Sequence, residues 1–434
     1  MTAAVRTVSA FGLALALMLG CFGGASAQTG PADIEALKKT APKVYIDCSI
    51  CDIEYIKTEI TFINYVRDRN EAEVHILITT LQTGSGGREY TLAFMGQNAF
   101  GGLDDTVKYF SNTTDTDDDV RKGLVGALKK GLMTYVVRRP IARRMVVNYA
   151  EENKPAPGAD KWDSWVFNLS GDGYFSGDNV YTDHSFGLNA SANRVTPDLK
   201  VRLGLSAYFN KNRILYEDET ITSTQENYSA SSLVVKSLGE HWSAGVSFNA
   251  DSSTYSNIHS RFIPAPAVEF NVFPYSQSTR RQLCFLYRLQ FEITRYRQET
   301  IYFKLRENLW KESLSVTLNL KEKWGVVSAS LSGSHYFQDM SKYRLSAFGT
   351  VQVNLVKGLN VFVLGGGSRI HDQLSLVAGE ASLEEILLQR RQLATSYSYF
   401  ASFGISYTFG SIFTNVVNPR FGRSGSGGVS IIID

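Results

Sequence analysis

Tyr397-Ser398-Tyr399-Phe400-Ala401-Ser402-Phe403-Gly404-Ile405-Ser406-Tyr407-Thr408-Phe409 separates into two lists when every second residue is taken. Tyr397, Tyr399, Ala401, Phe403, Ile405, Tyr407 and Phe409 fall on one side. Ser398, Ser402, Gly404, Ser406 and Thr408 fall on the other, with Phe400 the one bulky exception. A two-residue period is that of a β-strand, whose successive side chains leave on opposite faces. One face is long and aromatic, the other small and polar. A strand of about 9–11 residues built in this way suits an outer membrane, apolar towards lipid and polar towards a lumen.

The alternation recurs upstream. Trp165, Phe167 and Leu169 alternate with Asn168, Ser170 and Asp172, and Leu199, Val201, Leu203 and Leu205 with Lys200, Arg202 and Ser206. Further sets follow around Trp242–Asn249, Leu283–Thr294, Leu314–Leu320 and Tyr343–Leu355. Weaker ones near 180–195, 226–238, 261–273, 325–338 and 359–370 bring the expectation to about twelve strands over residues 162–410. Short connections (Thr196–Asp198, Leu238–His241, Lys321–Lys323, Lys357-Gly358) alternate with mostly longer ones (Glu217–Gln225, Ser253–Ser260, Arg295–Glu307, Ile370–Leu393). Short periplasmic turns and long outer loops are the habit of such barrels, and an even strand count leaves both chain ends in the periplasm.

Composition agrees. Charged residues are 20% of 434, the formal net charge is +2, and 22 tyrosines and 25 phenylalanines stand against ten prolines. So small a charge gives no reason to expect nucleic acid as a partner. No run of about 18 apolar residues follows the N-terminus, so no membrane-spanning helix is expected. At the N-terminus, Arg6, the apolar Phe11–Leu19 and Ala25-Ser26-Ala27 form a secretory signal over residues 1–27, with Gln28 the first mature residue. The competing reading is an acylated Cys21 after Met18-Leu19-Gly20.

Residues 28–140 read as a small α+β unit in the order β-α-β-β-α. Lys43–Asp47 is a strand, and Ile53, Ile56, Ile60 and Ile63 place a helix over about 52–66. Val74–Ile78 and Tyr90–Phe94 are strands joined through Gly84-Ser85-Gly86-Gly87. A second helix starts near Asp117 behind a Thr116 cap, with Val120, Leu124, Leu128, Leu132 and Val136 as its buried stripe. Residues 141–161, rich in arginine and then in proline and acid, read as a linker; residues 411–434 are left as a C-terminal tail.

Few residues suggest chemistry. Cys48-Ser49-Ile50-Cys51 follows a strand and opens a helix, where either a structural disulfide or a low-pKa redox pair is at home. Asp115–Asp119 could attract calcium but lacks the EF-hand glycine and distal glutamate. His184-Ser185 and His259-Ser260 are adjacent, and neighbours on a strand point to opposite faces. No catalytic, cofactor-binding or metal-ligating set is expected. The charges expected to face the lumen are Asp172, Lys200, Arg202, Glu269, Arg288, Glu292 and Arg344, either as an ion-paired plug or as the lining of a hydrated pore.

Through its strand pattern the C-terminal part resembles the outer-membrane β-barrels of Gram-negative bacteria. Through Glu71-Ala72-Glu73-Val74-His75-Ile76-Leu77-Ile78 and the closing amphipathic helix, the first unit resembles the N-terminal domain of the periplasmic protein TolB. The pairing is similar to a group of outer-membrane proteins, a resemblance that supplies no function. It implies outer-membrane lipid, the barrel-assembly machinery and a periplasmic protein as partners. Such barrels usually finish on an aromatic residue, as Tyr407-Thr408-Phe409 would; here the chain runs on, so either the signal is internal or the tail adds a periplasmic strand. The functions left open are a narrow channel, an anchoring or assembly component, a barrel hydrolase, and an adhesion protein with a closed lumen.

Overall fold

The computed structural model describes residues 37–84, 86–146, 162–216, 219–379, 391–418 and 420. The expected leader with Cys21, residues 147–161 of the expected linker and residues 421–434 of the tail lie outside them.

The chain first forms β1 (Lys43–Asp47), α1 (Ile53–Glu59), β2 (Asn64–Tyr65), β3 (Val74–Gln82), β4 (Arg88–Gly96), β5 (Asp104–Ser111) and α2 (Asp117–Val136). The sheet order is β2-β1-β3-β4-β5, with β1 parallel to β2 and β3 and the remaining pairs antiparallel. Two elements correct the expected β-α-β-β-α order. The first helix ends at Glu59, and β2 takes the place of its expected last turn. Ile60, Thr61, Ile63 and Val66 are β-branched and lose side-chain freedom in a helix, while remaining good strand formers. Strand β5 was not expected: its Asp104, Asp105 and Lys108 dilute the apolar alternation of an edge strand with one wet face.

Helix α2 keeps the expected stripe, with Leu124, Leu128, Leu132 and Val136 buried against Phe94 and Tyr135 in one core. Its start is a capping box. Thr116 Oγ1 accepts from Asp119 N at 3.2 Å, and Asp119 accepts from Thr116 N at 3.1 Å. The Thr116 hydroxyl, donating to the Asp119 carboxylate at 2.7 Å, and then the Thr116 N–H hold that carboxyl below its ordinary range. Asp118 is likewise lowered, first by Lys122 and then by Arg121. The acidic run is therefore engaged by the helix itself. Cys48 and Cys51 form a disulfide, Cα atoms 5.6 Å apart, between β1 and α1. Ile141 and Met145, from the stretch read as linker, pack in the same core.

The second unit is an up-and-down sheet of twelve antiparallel strands in chain order. They are β6 (Trp165–Gly177), β7 (Tyr181–Val195), β8 (Leu199–Tyr216), β9 (Glu219–Ser237), β10 (Trp242–Ser253), β11 (Ile258–Asn271), β12 (Arg281–Tyr296), β13 (Arg306–Glu322), β14 (Gly325–Tyr336), β15 (Asp339–Val356), β16 (Leu359–Ile370) and β17 (Tyr397–Tyr407). Each has at least 11 residues, enough to cross a hydrocarbon layer. The outer strands are β6 and β17, and no ladder joins them among the described residues. The expected loop Glu217–Gln225 is instead largely strand: β8 and β9 run on until Tyr216 faces Glu219. Thr220, Ile221, Thr222 and Thr224, all β-branched, favour that extension.

The tail after β17 returns to the first unit. Arg67 N donates to Ile412 O at 2.9 Å and Thr414 N to Tyr65 O at 3.0 Å around an antiparallel Val66–Phe413 bridge. Asn415 Oδ1 accepts from Tyr65 N at 2.6 Å, and its amide donates to Asn64 Oδ1 at 3.0 Å. The tail thus covers the β2 edge, whose backbone groups would otherwise be bare. Beside it, Asp68 accepts from Gly358 N at 2.7 Å, Arg69 donates to Asn354 O at 2.7 Å and to Lys323 O, and Glu71 pairs with Lys357. Two short turns of the large sheet, β13–β14 and β15–β16, therefore carry the small unit.

Candidate functional site: the concave face of the large sheet

Cross-strand register divides the sheet into two faces. One row runs Lys200–Val235–Gly245–Ala267–Arg288–Ser313–Ser334–Arg344 from β8 to β15. Residues of this parity are those that become buried: Ser185, Asn210, Ser223, Ser243, Ala265, Cys284, Glu292, Thr294 and Tyr336. The opposite parity holds exposed Leu205, Phe262, Leu331 and Phe403. The sheet is concave towards its polar face.

Phe400 belongs to the polar face. It lies opposite Gly366, which lies opposite Phe348, and the two rings come within 6.2 Å between centroids. A side chain on Gly366 would meet both rings. Phe362 similarly covers Gly404. Aromatic side chains packed across a strand glycine restore the contact that the glycine lacks. Serines surround the pair: Ser330, Ser332, Ser346, Ser368 and Ser398 line the same hollow of about 290 Å³.

Charged residues on the concave face form two zones. The first is an ion-paired cluster at the end of the longer loops. Arg261 grips Asp251 through two bonds of 3.0 and 3.1 Å. Arg344 donates to Asp372 through Nε at 2.9 Å and Nη2 at 2.8 Å. Lys311 lies 3.5 Å from Asp372 and 3.9 Å from Glu292, which accepts from the Tyr336 hydroxyl at 3.0 Å. Asp372 comes from the start of the β16–β17 loop, whose described residues fold inward. Ile301 N donates to Leu376 O, Ala378 N to Glu299 O, and Gln392 N to Tyr255 O. Asn257, buried with φ of 58°, donates its amide to both Gln298 O and Ser375 O at 3.0 Å. A short polar side chain that tolerates the left-handed conformation thus ties three loops together. Three bases and three acids balance, as desolvated charges must.

The second zone is a cavity of about 1130 Å³ at the end of the short turns, between β8 and β12. Lys200, Arg202, Glu269 and Arg288 line it, with Asp198 and Glu240 on exposed turns at its rim. Glu269 accepts from the Tyr275 hydroxyl at 2.8 Å, and Ser243 donates to the same hydroxyl at 3.0 Å. In the wall, the β11–β12 ladder lapses from Ile263 to Pro266, where Pro264 and Pro266 have no N–H to give.

Of the seven charges read from the sequence, Lys200, Arg202, Glu269 and Arg288 meet in the cavity, and Glu292 and Arg344 in the ion-paired cluster. Asp172 stands apart on the same face, exposed, opposite Gly187. Sequence reasoning did not single out Asp251, Arg261, Lys311 and Asp372. The first three share the inward parity and were legible by it; Asp372 is placed by its loop alone. His184 and Ser185 take opposite faces by register, and no cluster of metal-ligating side chains forms among the described residues.

No family model matches the chain, and no curated protein sequence matches it. Solved structures similar to it include the NanC porin, 14% identical over 56% of this chain and 100% of that one, with a TM-score of 0.26. The translocator domain of the autotransporter NalP from Neisseria meningitidis is 11% identical over 56% of this chain and 87% of its own, TM-score 0.23. The beta domain of the Bordetella autotransporter Brka is 14% identical over 56% and 98%, TM-score 0.23. Likeness at this level adds nothing to the fold described above.

Proposed function

We propose that this protein is an outer-membrane β-barrel whose lumen is a narrow, gated passage for small polar solutes, with its α+β unit held at the periplasmic rim. The observation that carries the reading is the polarity of the two faces. The concave face borders a cavity of about 1130 Å³ into which Lys200, Arg202, Glu269, Arg288 and several serines are set, while the outer face exposes leucine, phenylalanine and tyrosine along eleven- to nineteen-residue strands. A soluble sandwich would bury that apolar face; a bilayer offers it a solvent.

Spanning lipid requires β6 to meet β17, because unpaired backbone groups in hydrocarbon cost several kcal/mol each. On this reading the ion-paired cluster around Asp372 constricts the loop end, and its release is the gate's opening move. The docked α+β unit supports a second reading, in which the barrel chiefly anchors an interaction domain for a periplasmic protein.

Planar-bilayer recording separates the two. Under the passage reading the full-length protein gives small conductance steps, and Asp372→Ala, which strands Arg344 and leaves Lys311 only Glu292, increases the open time or the step size. Silence from both proteins, with folding verified by heat-modifiable migration, leaves the anchor as the function.

A further inference from the structure

The cavity at the turn end is lined by three cations, none of them held by a close counter-charge. Among the described residues, Lys200, Arg202 and Arg288 make no ion pair and no side-chain hydrogen bond, whereas Arg261, Lys311 and Arg344 at the loop end are each paired. Lys200 and Arg288 lie on one register row, separated by Val235, Gly245 and Ala267. Those residues project little, so the space between the two charges stays open. Four strand spacings separate them, about 19 Å along the curved wall and less across the chord.

Glu269 attracts Lys200 electrostatically, but no acid stands within ion-pair distance of Lys200, Arg202 or Arg288 among the described residues. Glu269 is bound to the Tyr275 hydroxyl, and Asp198 and Glu240 sit on exposed turns at the rim, where water screens them. Lys200 and Arg288 are part-buried, where a charge without a close counter-charge is costly unless a mobile anion supplies one, and Arg202 stands more open beside them.

We infer that this cavity is a binding site for small oxyanions, solutes bearing carboxylate or phosphate groups, which Arg202 and Arg288 grip from opposite sides. A guanidinium presents a planar fork that fits two oxygens of either group, and Lys200 adds a point charge. The site rests on the inward orientation that the passage reading also uses, but occupancy does not require conduction.

The test is isothermal titration of the full-length protein, folded in detergent at low ionic strength, with inorganic phosphate and with citrate in separate runs. Saturable binding of one or both is expected, the preferred probe showing which oxygen group the cavity takes. Arg202→Gln/Arg288→Gln should weaken it about tenfold or more, the scale set by losing charge-assisted hydrogen bonds. Arg202→Gln alone, at an exposed position, tests the same contact with little risk to folding. Glu269→Gln should tighten binding, since it removes the one acid that the strands present to the cavity, Asp198 and Glu240 lying on turns. Binding of neither probe, or equal binding by wild type and the double variant, overturns the site. A silent protein that still binds citrate would retire the passage and leave the site standing; a conducting one that binds neither anion would do the reverse.

Discussion

Arginine placed at Phe403 should cost about 2–4 kcal/mol of stability in a bilayer, and arginine at its neighbour Ser402 less than about 1. The difference follows from face and depth. β17 spans Tyr397–Tyr407, so its midpoint is Ser402, and Phe403 lies one residue away. One residue is about 3.4 Å along the strand, or roughly 2.6 Å of depth at a tilt near 40°. Phe403 is therefore close to the midplane, and its side chain is 81% exposed on the outer face. Tyr397 and Tyr407 at the strand ends fall where interfacial aromatics anchor a barrel. A guanidinium at 403 must enter hydrocarbon or thin the bilayer around itself, whereas one at 402 projects towards the serine-lined interior. Leu331, on the outer face of mid-β14, should repeat the cost seen at 403. The assay is reversible urea unfolding from phospholipid vesicles, followed by tryptophan fluorescence, for Phe403→Arg, Ser402→Arg and Leu331→Arg. Equal destabilisation at 402 and 403 would refute the assignment of faces, and with it the membrane location.

Three further outcomes are expected. A fragment of residues 28–146, extended past Arg139 to include Ile141 and Met145, should fold cooperatively without detergent; within it Leu132→Ala, at a fully buried site, should cost about 2–5 kcal/mol by urea denaturation. The same fragment should lose stability as pH rises from about 10 towards 12. Burial, aided by nearby aspartates, raises the Tyr45 and Tyr135 hydroxyls from their ordinary 10.0 to about 12. The unfolded chain therefore releases protons first and gains on the folded one across that window, so a melting temperature flat between pH 9 and pH 12 would contradict the burial of both rings. Finally, cysteines introduced along β6 and β17 should cross-link at one register in vesicles; failure at every register would mean that the sheet does not close in lipid.

The sequence by itself determined the elements whose causes are local. Side-chain alternation repeats every two residues wherever a strand forms, so Lys200, Arg202, Arg288 and Arg344 were assigned to one face without knowledge of their neighbours. The Thr116 cap and the 124–128–132–136 stripe of α2 are equally short-range. Residues 60–66 misled because their isoleucine spacing suits a helix while their β-branched side chains favour a strand, and packing beside β1 decided between them. What the tertiary structure alone decided depends on partners distant along the chain. Phe400 breaks the alternation because Gly366 and Phe348, on the next two strands, need a ring over them. Asp372 sits in a stretch that reads as an outer loop, yet the loop turns inward and gives Arg344 its counter-charge. The Val66–Phe413 bridge joins segments about 350 residues apart in the chain. Spacing within a strand carries no information about such pairings, because register, loop closure and the compensation of enclosed charge are settled only when separate strands meet.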